Sequence, residues 1–211
     1  STNRTSNGLQ NHTPTKRKKC HTMEIKINPK ALRSQLFHPC TAEFIRDTCQ
    51  ARCCRSTTDP TGIAVTITPK EADTLARIYG THTDQDTGRI TPINKRCPHQ
   101  DTNSHLCTLH DTPHKPAGCI ISPFTINPGG TLIVRNRYRL LPCFKTPDAI
   151  PVAHAHRSAL TQLFGVEATQ RIIDAVDNHT HDTPIWEQVD TETVKAMWHK
   201  NKASSSNAVG A

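Results

Sequence analysis

Nine cysteines, bunched rather than scattered, limit what this chain of 211 residues can fold into. Cys40, Cys49, Cys53 and Cys54 form one group, Cys97, Cys107, Cys119 and Cys143 a second, and Cys20 stands apart. Nine is odd, so the thiols cannot all pair within one chain. No apolar leader segment stands near the start, which points to the reducing cytoplasm, where disulfides are rare. Cysteines used only as small core residues would not be expected to bunch. The core itself is thin: hydrophobic residues make up 34% of the chain and aromatics 4%, against roughly 45–50% apolar residues in an average soluble domain. Metal binding is one way of reinforcing such a core. The expectation is therefore metal ligation by the eight clustered cysteines. No apolar run approaches the ~20 residues that span a bilayer, so a membrane is not an expected partner.

The spacing bears on the metal. Cys49-x3-Cys53 has the form of a zinc knuckle, but nine residues separate Cys97 from Cys107 and eleven separate Cys107 from Cys119. No His-x3-5-His pair follows a knuckle at finger spacing, which removes a zinc finger. Soft thiolates select zinc or iron–sulfur clusters over hard cations. An iron–sulfur cluster is the preferred cofactor because the spacings do not make two neat knuckle pairs, and zinc is the alternative. Cys53 and Cys54 are adjacent, and adjacent side chains tend to diverge, so one of them can face a different site. Eight cysteines suffice for two four-thiolate sites or for one site with spare thiols.

Secondary-structure signals are clearest where capping residues appear. Asn28 caps a short helix opened by Pro29. Gly62 to Ile67 alternates as a strand. Thr68, Pro69 and Glu71 then spell a capping box, and Gly80 a left-handed stop. Ile120–Ile126 and Thr131–Leu141 flank Asn127-Pro-Gly-Gly130, the pattern of a β-hairpin. From Ala153 the period becomes helical: Leu160, Leu163 and Phe164 before Gly165, then Val166, Thr169, Ile172, Ile173 and Val176, then Val194, Met197 and Trp198. The fold class expected is α+β, a small metal-stabilised and loop-rich cysteine-cluster domain with a β-hairpin, followed by C-terminal helices. Its divisions are a disordered basic tail over 1–22, the metal-binding domain over 23–150, a helical segment over 151–202 and a disordered tail over 203–211.

Cys49-x3-Cys53-Cys54-Arg55, a strand, a capped helix, Cys97-Pro98 and Cys107-Thr108-Leu109-His110 together resemble the YkgJ-type cysteine-cluster family. That family's pattern is CxxCxxCC, then CP, then C-x-[IL]-[YH]. Lys115-Pro-Ala-Gly-Cys119 stands where the family has RP-x-x-C. The likeness covers about residues 40–145. It departs at the first cluster, which reads C-x8-C-x3-CC, and at Lys115, which replaces an Arg. The resemblance implies a zinc- or iron-chelating domain, and some members resemble lysine methylases acting on flagellin.

The net charge is +8, part of it in Lys16-Arg17-Lys18-Lys19. Read as a strand, Leu132–Leu140 would project Arg135, Arg137 and Arg139 from one face at ~6.6 Å intervals. Three guanidinium groups so placed repel unless an anion lies across them. Phosphate, a carboxylated substrate, the chain's own Asp and Glu, or a nearby four-thiolate metal site could each supply it. His154-Ala-His156 and His179-Thr-His181 are read as solvent-facing pairs. No GxGxxG, P-loop, GxSxG or HExxH motif is present. Two functional classes stay open: a metal-binding enzyme acting on an anionic or nucleic-acid substrate, and a non-catalytic protein with structural zinc serving as a nucleic-acid or protein adaptor.

Overall fold

The computed structural model describes residues 22–55, 65–84, 86–178, 183–191 and 194. In chain order the elements are β1 (Thr22–Ile27), α1 (Pro29–Arg33), β2 (Leu36–Phe37), α2 (Ala42–Phe44), α3 (Pro69–Tyr79), β3 (Thr83–Asp84), β4 (Arg89–Ile90), α4 (Ala117–Ile120), β5 (Phe124–Ile126), β6 (Leu132–Val134), β7 (Ile150–Pro151), α5 (Val152–Ala155), α6 (Arg157–Phe164), α7 (Val166–Asp177) and β8 (Ile185–Asp190). The strands form antiparallel pairs, β1 with β8, β2 with β7, β3 with β4 and β5 with β6, so the fold is α+β. Among the described residues no helix is long and apolar enough to cross a membrane.

The capping chemistry forms as the residues dictate. The Asn28 side chain accepts from Ala31 N at 3.1 Å, with Pro29 in the first helical turn. At α3 Glu71 N donates to Thr68 Oγ1 and Thr68 N donates to Glu71 Oε2, while Gly80 closes the helix at φ +64°. The hairpin forms across Asn127–Gly130, whose turn is closed by Gly130 N donating to Asn127 O at 3.0 Å.

That hairpin is shorter than expected, and this corrects the arginine strand. Pairing stops at Val134, and Asn136–Leu140 is a 3-10 turn. Arg135 N still donates to Pro123 O at 3.1 Å, but Pro123 has no N–H to carry the ladder further. The chain turns inward instead and buries Tyr138. Of the strand expected over Gly62–Ile67, residues 62–64 lie outside the described set and Thr66 makes a single bridge to Arg89.

The C-terminal helices bury Leu160, Leu163, Thr169, Ile172, Ile173 and Val176, but Val166 is 69% exposed at the first turn of α7. Val194 is buried, and Met197 and Trp198 lie outside the described residues. Residues 185–190 form a strand rather than a helix, with Val189 and Glu187 inward and Glu187 held by Arg171 at 2.7 and 2.8 Å.

Two apolar clusters result. The larger draws on β1, β5, β6 and α5–α7 and includes Cys143, with Cys53 packed against it. The smaller joins Val65, Ile67, Leu75, Ile90 and Leu109, with Cys97, Cys107 and Cys119 packed against it. The cysteines thus line both clusters, and the site lies where the two meet.

Candidate metal centre

Cys40 follows β2, whose neighbour His38 donates from its backbone N to Cys143 O at 2.8 Å. That bond brings the first and last clustered cysteines of the sequence together. After α2 the chain widens into a π-type turn over Ile45–Cys49 and then enters a 3-10 turn over Arg52–Cys54. Gln50 and Ala51 between them are left-handed, at φ +51° and +44°. Non-glycine residues there are strained, and such strain collects at functional sites. The reversal is held by Gln100 Nε2 donating to Gln50 O at 2.9 Å.

The second group is joined to the first through its backbone. Cys97 N donates to Cys54 O at 2.9 Å, and Gln100 bridges to Cys107. Cys119 stands on α4, whose first turn is fastened when Ala117 N donates to Glu71 Oε1 at 2.7 Å. Gly118 beside it is required: a Cβ there would lie 2.7 Å from Thr66 O and 2.8 Å from a Val65 methyl.

Cys40, Cys53, Cys54, Cys97, Cys107 and Cys119 line one cavity of about 490 Å³. Cys49 and Cys143 are not on its wall and are buried, 6% and 5% exposed. All eight thiols are free. Cys20 lies outside the described residues.

Protonation follows from burial and neighbours. Burial first, then the Cys53 and Cys49 charges, push Cys40 to about 12. Although the residue is exposed overall, its thiol faces the cavity. Burial raises Cys97 to about 11 and also raises Cys119. Cys49 falls to about 6 because the Cys143 thiol donates to it, and Cys143 rises for the same reason. Cys53 is held down by the Cys54 thiol, which lies 4.0 Å away, and Cys54 rises in return. A metal entering this site must therefore displace protons.

The donor set is soft, as zinc and iron require. Among the described residues, however, no group of three or more His, Cys, Asp or Glu is gathered closely enough to hold one metal ion. Two arginines bring buried nitrogens into the neighbourhood of the first group of thiols. Arg137 Nε and Arg55 Nε are buried without a hydrogen-bond partner, Arg137 beside Cys53 and Arg55 within the field of Cys49. Buried donors nearly always find a protein or water partner, and metal-bound thiolates, being anions, would be one kind of partner for these two. In donor type the thiols suit zinc or iron, but among the described residues they are not gathered into a closed site.

The arginines do not form a row. Arg137 donates to Cys53 O at 2.9 Å and stacks over the Tyr138 ring at 5.0 Å. Arg135 is half-buried, and Arg139 is exposed and reaches Gln35 at 3.5 Å.

The paired histidines also diverge. His154 meets Asp177 at 2.7 Å on the outside, whereas His156 turns inward to line the cavity, its Nε2 buried without a partner. Burial lowers its pKa to about 4. The single residue between the two histidines was the available signal for this divergence. Tyr138 and His99 also line the cavity, and nothing in their local sequence marks them. His179 and His181 lie outside the described residues.

Residues 45–143 match the CxxCxxCC family model. Its description is "Putative zinc- or iron-chelating domain", which supports metal binding. No curated protein matches the chain, and no solved structure matches it. The CxxCxxCC segment holds every clustered cysteine except Cys40, and its bounds fall at the π-type turn and at Cys143. The family resemblance read from the residues and this match coincide over that segment.

Proposed function

We propose that the chain binds metal through thiolates of the clustered cysteines, with an iron–sulfur cluster favoured over zinc, in a reducing compartment such as the cytoplasm. The observation that carries this reading is the convergence of six cysteines, from segments far apart in sequence, on one cavity. The spacing of the cysteines along the chain favours the cluster form, since it does not make the two knuckle pairs usual in a structural zinc site.

The cofactor would supply redox or Lewis-acid chemistry beside a largely apolar cavity. His156 and Tyr138 on its wall would meet a substrate. Arg139, exposed at the 3-10 turn, is the arginine best placed for an anionic or nucleic-acid partner.

A purely structural metal is the second reading. It is favoured by the run from Thr91 to Pro116, which holds Cys97 and Cys107 yet contains no helix and only isolated bridges. Metal analysis and visible spectroscopy of anaerobically purified protein test both. Iron with sulfide and a broad visible band is expected. Colourless protein with stoichiometric zinc would favour the structural reading, and protein without iron or zinc would overturn both.

A further inference from the structure

We infer that the cavity takes an organic carboxylate, its apolar body lying between the two apolar clusters and its carboxylate held at the rim by Lys115 and His110. This names a substrate class for the site described above and rests on the thiolate-metal reading of that site.

The body follows from the walls. Val65, Ile90 and Leu109 of the smaller cluster and Ala159 of the larger all line the cavity, together with Ile45 and Ile120. Its volume of about 490 Å³ lies within the ~300–1,000 Å³ of sites that enclose small organic molecules, which are mostly apolar with a few placed polar groups. A small inorganic anion would gain nothing from these side chains, whereas an organic body would remove their apolar surface from water.

The head follows from one hydrogen bond. Lys115 Nζ lies 2.8 Å from His110 Nδ1, and both residues line the cavity. An ammonium can only donate, so Nδ1 accepts and the ring proton sits on Nε2. The pair therefore offers an ammonium and an imidazole N–H to one acceptor group. Among the described residues no carboxylate forms an ion pair with Lys115. Short turns hold the two donors in place. Thr112 N donates to Leu109 O at 3.2 Å and Lys115 N to Thr112 O at 3.4 Å, and Pro116 then caps α4, which Ala117 N fastens to Glu71. His110 is exposed and Lys115 half-buried, so a bound carboxylate stays partly in water and escapes the full cost of burying a charge. Asp111, exposed on the same wall, would repel a second negative charge, so a carboxylate suits the pair better than a phosphate dianion.

The test is calorimetric binding of octanoate and naphthoate to the full chain, beside octanol, naphthol and octyl phosphate, with iron and zinc assayed on the same samples. Each acid should bind about tenfold or more tightly than the matching alcohol, because the alcohol lacks the charge-assisted hydrogen bond. Octyl phosphate should bind more weakly than octanoate. Lys115→Met keeps the packing of the stem and should erase the preference for acids, with alcohol binding and metal content unchanged, while Lys115→Arg should retain it. Ala42→Trp, at an exposed position on the wall, should weaken acids and alcohols alike. Equal binding of acids and alcohols by the wild type, which needs no variant to fold, would overturn the inference. So would a preference that survives Lys115→Met, tighter binding of octyl phosphate, or no binding of any probe by metal-loaded protein. Protein that holds neither iron nor zinc overturns the thiolate reading instead, whatever the acids do.

Discussion

Glu71 ties the cysteine region to the rest of the fold, and its removal has a calculable effect. One carboxylate oxygen accepts from Thr68 N at 2.7 Å and from Thr68 Oγ1 at 3.0 Å, completing the capping box of α3. The other accepts from Ala117 N at 2.7 Å and fixes the first turn of α4, two residues before Cys119. Loss of the cap costs about 1 kcal/mol. Loss of the bond from Ala117 to a half-buried carboxylate costs about 1.5–3 kcal/mol. Glu71→Ala should therefore destabilise by about 3 kcal/mol, which for a chain of this length lowers Tm by ~6–12 °C. Glu71→Gln keeps one acceptor oxygen but presents an NH2 to the other donor, so it should fall between Glu71→Ala and wild type. Thr68→Ala removes only the cap and should lower Tm by ~2–4 °C. Thermal melts followed by circular dichroism give the ranking, and amide exchange at Ala117 reports the second bond directly. A Glu71→Ala protein melting within about 2 °C of wild type, with Ala117 exchange unchanged, would refute the reasoning.

Gly118→Ala sets a Cβ against Thr66 O and should cost about 1–3 kcal/mol by overpacking, and because it shifts Cys119 it should also lower metal content by elemental analysis. Chelation should raise amide exchange across residues 91–116 well before the helices at 152–177 respond, since only the former depends on ligands for order. His156 has a folded pKa of about 4 against about 6.5 unfolded. The unfolded chain therefore binds the extra proton first, and metal-free protein should lose about 3 kcal/mol as pH falls from about 6.5 to about 4. His156→Leu should flatten that limb, and unchanged acid sensitivity in denaturant titrations would count against it. Arg137→Ala should lower Tm through the lost bond to Cys53 O, whereas exposed Arg139→Ala should leave it within about 2 °C.

Local chemistry was legible in the sequence wherever one or two residues decide it. Asn28, Thr68 with Glu71, Gly80 and Asn127–Gly130 each satisfy or redirect nearby backbone groups, so neighbouring residues suffice. The arginine strand failed because its length depends on a partner. Alternation over Leu132–Leu140 is necessary for a strand, but Pro123 across the hairpin withholds the next donor. Strand β8 was hidden for a related reason: Ile185 to Asp190 pairs with β1, more than 150 residues away, and buries Glu187 only because Arg171 on α7 meets it. The cysteines were readable as a group because bunching is a property of the sequence. Their division between two apolar clusters was not, since it depends on which core each side chain meets.

The arginines then acquire a different meaning. Four thiolates around a divalent ion leave a net negative charge, and burying it is costly unless fixed donors compensate. A guanidinium is suited to that task because it stays charged when half-buried and offers several N–H groups in a rigid fork. The 3-10 turn that ends the hairpin carries Arg137 inward, where one nitrogen holds Cys53 O and another remains buried and unpaired beside the Cys53 thiol. Arg55, directly after Cys54, presents a second buried unpaired nitrogen. Among the anions that could answer the run of arginines, the centre formed by the chain's own thiolates is the one that Arg137 already adjoins. On the proposed thiolate-metal reading, Arg137 would serve first to offset the charge of the bound thiolates, while Arg139 is exposed at the end of the turn.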